Sequence, residues 1–377
     1  GVLSSMNHGA MGVVTDASGS VYVAGVDKPD LFTITDFTVK KYGSNGSMQL
    51  TNYFNGPPNY LDYAKDICMD NSGNLIAVGS LSINMLPWTS IVVARKYNPA
   101  GTVLWTASIY GSGDGDGFSV VSDSTGNVYL GGELFLSGTY WLLAKINNSG
   151  SVLWTRTGIG TSSSSISSLH LDSGGKLIAV VKEGASTFSL KRYSTATGDV
   201  EWSKTVYGTP AKLDLDVSDN IYVAGYINAP GLKAALSKYD SSGNFIWGMN
   251  LDNGMSQARG KDIEVNGRQI AFVADQYSGP TPGWDWLALK LLVTDAYLVG
   301  NLYFENSNPL KGEIFDIVLT VTNTGTANAT GVTATIYAVS GSVFIGPVGN
   351  LLPASPVTII PGGGQVFRWT ATAVGMG

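Results

Sequence analysis

Three polar side chains from successive repeats occupy one column of the sequence and could together bind an ion. His170, Asp214 and Asp262 each stand two residues before the acidic residue that anchors a recurring phrase. Side chains alternate between the two faces of a strand, so residues at the same offset face the same way if these segments are strands. We therefore predict that the three converge on a central channel as a small-ion or polar-ligand site. The alternative is a hydrated channel in which Lys212 pairs with the carboxylates.

A glycine-rich loop supplies a second pair of candidate ligands, Asp114 and Asp116, within the segment Gly-Ser-Gly-Asp-Gly-Asp-Gly at 111–117. Carboxylates on a loop are typical calcium ligands, which makes calcium binding one interpretation. The further acidic ligands of a calcium loop are missing, however. The alternative is that this segment is only a connector between repeats.

Other kinds of catalytic or metal site have little support. The histidines are His8 and His170 alone, which excludes a multi-histidine metal centre. Neither a Gly-x-Ser-x-Gly elbow nor a phosphate-binding loop occurs. Three Asn-x-Ser/Thr triplets are glycosylation candidates, although a chain rich in these residues also forms them by chance; they begin at Asn45, Asn147 and Asn328. We predict no catalytic residues, no enzymatic activity and no cofactor.

The anchor phrase that positions these residues recurs at spacings of 44 to 54 residues. It consists of an acidic residue, a short turn of Ser, Gly and Asn, and an apolar run such as Val-Tyr-Val-Ala-Gly. Its copies begin at Asp16, Asp70, Asp123, Asp172, Asp216 and Glu264. A repeat of this length holds about four short strands, as a propeller blade does.

A second phrase, in which a Lys or Arg precedes a Gly turn and a Trp, completes most copies. Its Trp residues are Trp105, Trp154, Trp202 and Trp247. Two strands around each turn give four antiparallel strands per repeat, so we predict an all-β fold with a six-bladed β-propeller over residues 1–294. The sixth copy lacks its last strand, and we predict that Val2 and Leu3 supply it and close the ring. A linear stack of repeats is the alternative, although we find no polar caps for one.

The paired phrases resemble the SBBP β-propeller repeats of bacteria and archaea, and the Gly-x-x-x-Trp half is similar to pyrroloquinoline-quinone-type repeats. The resemblance covers residues 1 to about 294 and is carried by turn residues. It implies a secreted or surface protein of unassigned activity, without a shared set of catalytic residues.

The pattern changes over residues 297–377, where few charges remain. Alternating apolar and polar residues from Gly312 onward predict an immunoglobulin-like β-sandwich. The Val-Thr-Asn-Thr-Gly-Thr-Ala segment at 321–327 resembles CARDB-type modules, which typically present or space other domains. We predict that the strand at 365–373 leaves an unpaired edge through which copies form a homo-oligomer or filament. A strand absent from the given sequence is the alternative.

Composition limits the partners. Charged residues make up 13% of the chain, the net charge is −6 and there is no Lys/Arg cluster, which argues against nucleic acid as a partner. No apolar run reaches the length of a membrane span. We predict a non-enzymatic secreted or cell-surface structural protein that acts in adhesion or assembly. The alternative is a propeller enzyme or lectin acting on surface polysaccharide, which would cluster carboxylates and aromatic side chains on one face.

Overall fold

The computed structural model is built of strands and tight turns, and the described part of the chain contains no helix. The chain divides into two compact units, Gly1–Ser203 and Lys204–Gly377. The structure describes residues 9–28, 35–56, 60–85, 88–158, 164–184, 187–228, 231–251, 257–267, 269–277, 284–292, 298–304, 314–323, 329–340, 343–345, 352–353, 355–360 and 362–376.

Within its described residues, the first unit consists of four antiparallel meanders, each with four strands in sequence order. Their strands are β1 (Gly9–Thr15), β2 (Val21–Asp27), β3 (Asp36–Tyr42) and β4 (Met48–Phe54); β5 (Asp62–Met69), β6 (Leu75–Met85), β7 (Trp88–Tyr97) and β8 (Val103–Ile109); β9 (Gly115–Ser122), β10 (Val128–Phe135), β11 (Thr139–Ile146) and β12 (Val152–Gly158); β13 (Ser165–Leu171), β14 (Leu177–Lys182), β15 (Phe188–Tyr193) and β16 (Val200–Thr205). The first strands of successive sheets contact one another, as the inner strands of propeller blades do.

The second unit continues the pattern and then departs from it. A fifth meander is joined, by one parallel bridge between Leu232 and Gln257, to three further strands and one C-terminal strand, which we call the sixth sheet; the other C-terminal strands are separate. These strands are β17 (Thr209–Leu215), β18 (Ile221–Asn228), β19 (Leu232–Tyr239) and β20 (Phe245–Leu251); β21 (Gln257–Asn266), β22 (Gln269–Tyr277) and β23 (Trp284–Leu292); β24 (Leu298–Phe304), β25 (Ile314–Asn323), β26 (Ala329–Val332), β27 (Ala334–Ser340), β28 (Val343–Ile345), β29 (Val357–Ile359) and β30 (Gly364–Met376). The C-terminal strands form a β24–β25–β30–β28 sheet and a β26–β29 pair.

The hydrophobic cores of the first unit lie between neighbouring sheets. Tyr22 and Phe37 of the first sheet, for example, share a buried cluster with Ile67 and Val93 of the second. Both faces of the second and third sheets are therefore apolar, which explains the nearly continuous apolar runs of their second and third strands. The repeated tyrosines serve this packing, since Tyr97, for example, is only 1% exposed.

The anchor phrase forms a tight turn closed by the side chain of its acidic residue. In the third repeat, Asp123 Oδ1 accepts the backbone amides of Thr125 and Asn127 at 2.9 and 3.0 Å, and Oδ2 accepts the Tyr129 hydroxyl at 3.0 Å. Gly126 between them has φ of 81°, the left-handed conformation that this type of hairpin loop requires. The phrase is thus a self-contained turn motif, which explains its recurrence.

The glycine that ends the apolar run is required by a bulge in the preceding strand. In the second sheet the register shifts between Ala64 and Asp66, which brings the Tyr63 carbonyl toward β6. A Cβ on Gly79 would lie 1.8 Å from that oxygen. Glycine is therefore the residue that fits opposite such a bulge.

The second phrase links each sheet to the next. Trp105 Nε1 donates to the Asn148 carbonyl at 3.0 Å, and its ring lies against Gly150 so closely that a Cβ there would be 2.8 Å away. Lys96 donates to the Asn148 side chain at 2.5 Å. The Lys, the Trp and the Gly turn thus form one interlock between consecutive sheets.

The sixth copy of the anchor phrase lies two residues from its predicted position. Glu264 is inside β21 and pairs with Ala271, and the turn follows Asn266 instead. The bulge fixes this correspondence, since it falls at Gly260/Asp262 in β21 and at Pro210/Lys212 in β17. Asp262 therefore corresponds to Lys212, and Glu264 corresponds to Asp214. The offset is two residues and side chains alternate between faces with a period of two, so each residue still lies on the predicted face of the strand.

The strand beside the sixth sheet differs from the prediction. β27 pairs with β23 along Trp286–Leu291 and occupies the edge that we assigned to Val2 and Leu3, which themselves lie outside the described residues. A strand from the C-terminal region therefore pairs with β23 where we expected the N terminus, and the closure of the ring by Val2 and Leu3 stays a prediction. One buried cluster also joins the fifth and sixth sheets to C-terminal strands, through residues such as Phe272 and Phe367. The boundary between 1–294 and 297–377 stays a prediction.

The predicted free edge at 365–373 is partly covered within the chain. Arg368 and Leu352 exchange two backbone hydrogen bonds of 2.9 Å, and β28 pairs with the end of β30 at Ala373–Met376. The expectation of an entirely unpaired edge is therefore wrong. Pairing between copies stays a prediction, without this feature to support it.

Candidate functional site

Each meander has two chemically different ends. The turns between its first and second strands and between its third and fourth strands lie at one end, because neighbouring strands run in opposite directions. We call this the turn end. The loop between the second and third strands, and the connections between sheets, lie at the other end, which we call the loop end.

The predicted channel residues lie on first strands, as expected from the pattern. His170 lies on β13 and its Nδ1 is 2.9 Å from the Leu171 carbonyl oxygen. Asp214 on β17 is buried, whereas Asp262 on β21 is exposed. His170 belongs to the first unit and the two aspartates belong to the second, so their convergence on one ligand stays a prediction.

Polar side chains of the first strands accept hydrogen bonds from the backbone of the next first strand, a role that was not predicted from the sequence. Asp66 accepts the Val120 amide at 3.0 Å, and Ser119 accepts the Leu169 amide at 3.1 Å. Asp214 likewise accepts the Val265 amide at 2.5 Å. Each bond connects one first strand to the next, so Asp214 acts as a link between strands.

The loop end of the third sheet brings three carboxylates together. Asp116 on β9 and Glu133 on β10 are directly opposed in the antiparallel pair, so their Cα atoms lie about 5 Å apart and their side chains project from the same face. Lys65 of the second sheet places its Nζ 3.5 Å from Asp116 Oδ2. We call Asp114, Asp116 and Glu133 the acidic cluster.

Backbone hydrogen bonds hold the glycine-rich loop against β10 and so position this cluster. The Ser112 amide donates to the Phe135 carbonyl at 2.9 Å, and the Phe135 amide donates to the Asp114 carbonyl at 2.7 Å. A Cβ on Gly113 would lie 2.5 Å from the Phe135 ring. Glycines are needed here for close approach, which explains the composition of the loop without a calcium ion.

Burial raises the pKa of both carboxyl groups that face each other. It raises the pKa of Glu133 to about 6, and the negative charge of Asp116 adds to the shift. Burial also raises the pKa of Asp116, and outweighs the opposing effect of the Lys65 ammonium and the Ser80 hydroxyl. A carboxyl group whose pKa lies near neutrality is suited to proton transfer.

Lys65 is held in a defined place beside the acidic cluster. Its ammonium lies 5.1 Å from the ring centre of Tyr63 and 5.7 Å from that of Phe118, within the range of cation–π attraction. The arrangement offers a cation, an acidic group and a basic group within one small region. That combination is able to bind a polar substrate and move a proton.

Metal binding is not supported by this geometry. In the part of the chain that the structure describes, no group of three or more His, Cys, Asp or Glu side chains is arranged to hold a metal ion. This applies to the predicted calcium ligands Asp114 and Asp116, of which Asp116 instead faces Lys65 and Glu133.

Two glycosylation candidates are turn residues. Asn45 Oδ1 accepts the Ser47 amide at 3.0 Å, and Asn147 Oδ1 accepts the Ser149 and Ser151 amides at 3.1 and 2.8 Å. Both side chains therefore close turns of the second phrase. Asn328 lies outside the described residues.

Glu133 and Lys65 are not among the residues predicted from the sequence. The signal available was the acidic type of Glu133, because the first, second, fourth and fifth copies carry Val26, Ser80, Lys182 and Tyr226 at the same position. Lys65 is 51 residues from Asp116 in the sequence, so the contact between them is seen only in the packing of the second sheet against the third.

Comparison with known proteins supports the fold. No family model matches the chain, and no curated relative matches it. Among solved structures, a PL25 ulvan lyase, a polysaccharide lyase, aligns with a TM-score of 0.52 and 10% identity over 84% of this chain and 89% of its own. The same type of enzyme bound to -[GlcA(1-4)Rha3S]- gives 0.51 and 9% over 84% and 91%. The β-propeller domain of Cps50 (Swd1) from Myceliophteria thermophila gives a TM-score of 0.48 and 9% identity over 83% of this chain and 93% of its own.

These likenesses place the chain among all-β proteins of the β-propeller type. They do not support the predicted structural role in adhesion or assembly. The prediction that the protein is not an enzyme is wrong, because a polysaccharide lyase is among the proteins that share this fold. Among the described residues there is no helix with the length and apolarity needed to cross a membrane.

Proposed function

We propose that this protein acts on a polysaccharide, with Asp116 and Glu133 as its proton-transfer pair. The observation that carries the proposal is the direct opposition of these two carboxylates at the loop end, beside Lys65. Cleavage of a glycosidic bond needs one group that protonates the leaving oxygen and a second that acts as base or nucleophile. Two carboxyl groups in different surroundings are suited to these two roles.

The surroundings assign the roles. Glu133, with a pKa of about 6, retains its proton to a higher pH than an ordinary carboxyl group and is the proton donor. Asp116 is the base, because the Lys65 ammonium 3.5 Å away offsets part of the rise that burial causes in its pKa. The ulvan lyase, whose fold is similar, is a polysaccharide lyase, which makes a uronate-containing polymer the first substrate to test.

The test compares the wild-type protein with Asp116→Asn and Glu133→Gln on ulvan, alginate, polygalacturonate and xylan. New reducing ends report any cleavage, and ultraviolet absorbance of an unsaturated product separates elimination from hydrolysis. Each variant should lower the rate by about 100-fold or more. Asp199→Asn, which changes an exposed carboxylate paired with Arg156, is the control and should retain full activity.

A wild-type protein that cleaves one of these polymers while both variants remain fully active would contradict this site. Thermal melting of each variant shows whether it is folded. The wild-type rate should also fall as the pH rises above about 6, because Glu133 then loses the proton that it donates.

Finer architectural features belong to the same proposal. The six-bladed ring, the SBBP-like repeat type, the CARDB-like immunoglobulin module and a secreted or cell-surface location are consistent with a protein that meets polysaccharide outside the cell. The repeat interlocks described above support a ring built from successive sheets.

A further inference from the structure

A strip of exposed apolar side chains leads away from the acidic cluster. Tyr110 is 66% exposed, Phe135 is 43% exposed and Leu136 is 42% exposed. Tyr110 directly follows β8, the last strand of the second sheet, and the connection from it enters β9, the first strand of the third. The connection therefore runs from an outer strand toward the acidic cluster.

The strip is fixed to the fold. The Ser112 and Gly113 amides both donate to the Phe135 carbonyl, at 2.9 and 3.3 Å, and the Phe135 ring lies against Gly113. Next to it, the Ser137 and Tyr140 hydroxyls are hydrogen-bonded at 3.0 Å. The Phe135 side chain is therefore held in place while exposed, so little of its conformational freedom remains to be lost on binding.

This combination fits a sugar chain. Aromatic rings offer flat apolar faces for the C–H faces of sugar rings, and the tyrosine hydroxyls offer hydrogen bonds for the sugar hydroxyls. The six residue steps from Tyr110 to Asp116 span at most about 22 Å, which is the scale of a short oligosaccharide. The strip is also continuous with the acidic cluster through Asp114, whose carbonyl binds the Phe135 amide.

We infer that Tyr110 and Phe135 form a distal sugar-binding subsite, which takes the polysaccharide chain away from the bond at the acidic cluster. The inference rests on the proposed function and adds that the site selects long chains over short ones. Binding at Tyr110 contributes affinity only when the chain is long enough to reach both the strip and the carboxylates.

The experiment measures retardation of the native protein in gels containing ulvan, alginate, polygalacturonate or xylan. Tyr110→Ala and Phe135→Ala should each weaken binding by about 5- to 10-fold. Controls are Tyr207→Ala and Phe245→Ala, which change exposed aromatic residues of the second unit (50% and 54% exposed), with Tyr207 in the corresponding connection between sheets. The controls should bind as the wild type does.

A second measurement uses size-fractionated oligosaccharides of each polymer as competitors. Long fragments should compete better than disaccharides for the wild type, and Tyr110→Ala should remove that advantage. Wild-type retardation that Tyr110→Ala and Phe135→Ala leave unchanged would overturn the subsite while the cleavage proposal stands. Retardation that depends on Tyr110 without any product formation would support the subsite and overturn the cleavage proposal. Absence of retardation in all four gels would overturn both.

Discussion

Asp70 and Asp123, at the turn end of their sheets, have pKa values below the ordinary range, whereas Asp62 and Glu133, at the loop end, have pKa values above it. Asp70 and Asp123 show the first behaviour, because backbone amides and neighbouring side chains donate to their charged form and outweigh burial. Asp62 and Glu133 show the second, because burial removes water without enough donors to replace it. The same kind of group, a carboxyl, thus has a lowered pKa at one end of the sheets and a raised pKa at the other.

The difference separates stability from function. Every turn-end carboxylate of this kind recurs with its phrase and satisfies local backbone groups, so its role is to hold a turn. Asp62 and Glu133 belong to neither repeated phrase, and their charged forms are less well satisfied. Groups kept in such surroundings are candidates for proton transfer.

The largest expected effect comes from two lysines, one at each end. Lys96 lies 2.7 Å from Asp70, with 1% and 4% of their side chains exposed, so Lys96→Met leaves a buried carboxylate without its cation. We expect a loss of about 3–5 kcal/mol in the free energy of unfolding, measured by urea denaturation. Lys65→Met, which affects a pair with 26% and 25% of its side chains exposed, should cost about 1 kcal/mol or less. Equal losses would remove the distinction between the two ends.

A smaller effect is expected from the turn carboxylate itself. Asp123→Ala removes the acceptor of the Thr125 and Asn127 amides, which should lower the free energy of unfolding by about 2 kcal/mol. The matched change at an exposed carboxylate, Asp199→Ala, should remain within about 0.5 kcal/mol of the wild type. If both variants unfolded at the same urea concentration as the wild type, the turn motif would have no energetic role.

The pH dependence of stability separates the two ends in a second way. Burial raises the pKa of Asp62 to about 6, so the folded protein keeps a proton that the unfolded chain releases above about pH 4. Stability should therefore fall as the pH rises from about 4 to 6, by at most about 1.4 kcal/mol per pH unit for this group. The turn-end carboxylates act in the opposite direction, since the stability that they contribute is lost as the pH falls below about 4.

Urea denaturation between pH 3 and 7 would test this balance, with Asp62→Asn as the variant. The variant lacks the titrating group, so its stability should fall less between about pH 4 and 6, although it also loses one acceptor for the Gly56 and Ser82 amides. A wild-type protein whose stability rises steadily over that range would show that the loop-end carboxylates are not protonated as described.

The sequence predicted the parts of the fold that are encoded locally. The turns at Asp70 and Asp123, the four strands around them and the packing of the repeated tyrosines all depend on residues close together in the chain. The pairing of β27 with β23 was not predictable in this way, because residues 284–292 and 334–340 share no repeated phrase. The two-residue offset of the sixth copy was missed because Glu264 supplies an acidic residue near the expected anchor, whereas the turn itself follows Asn266.

The candidate site was predicted only in part. Asp114 and Asp116 stood out because two acidic residues interrupt a glycine run. Glu133 and Lys65 did not, since each looks like an ordinary polar residue at a strand end. Glu133 faces Asp116 because β10 pairs with β9, and Lys65 reaches Asp116 because the second sheet packs against the third. Neither the register nor the packing is visible in the sequence.

The pairing of β27 with β23 also affects the order in which the sheets are completed during synthesis on the ribosome. Each meander of the first unit is made of consecutive residues and is complete once its fourth strand has emerged, so these sheets are able to form one after another. The sheet begun by β21 is different, because its fourth strand ends only at Ser340. Until that residue leaves the exit tunnel, β23 has an open edge, and this interval is when the nascent chain most needs protection from pairing with another chain.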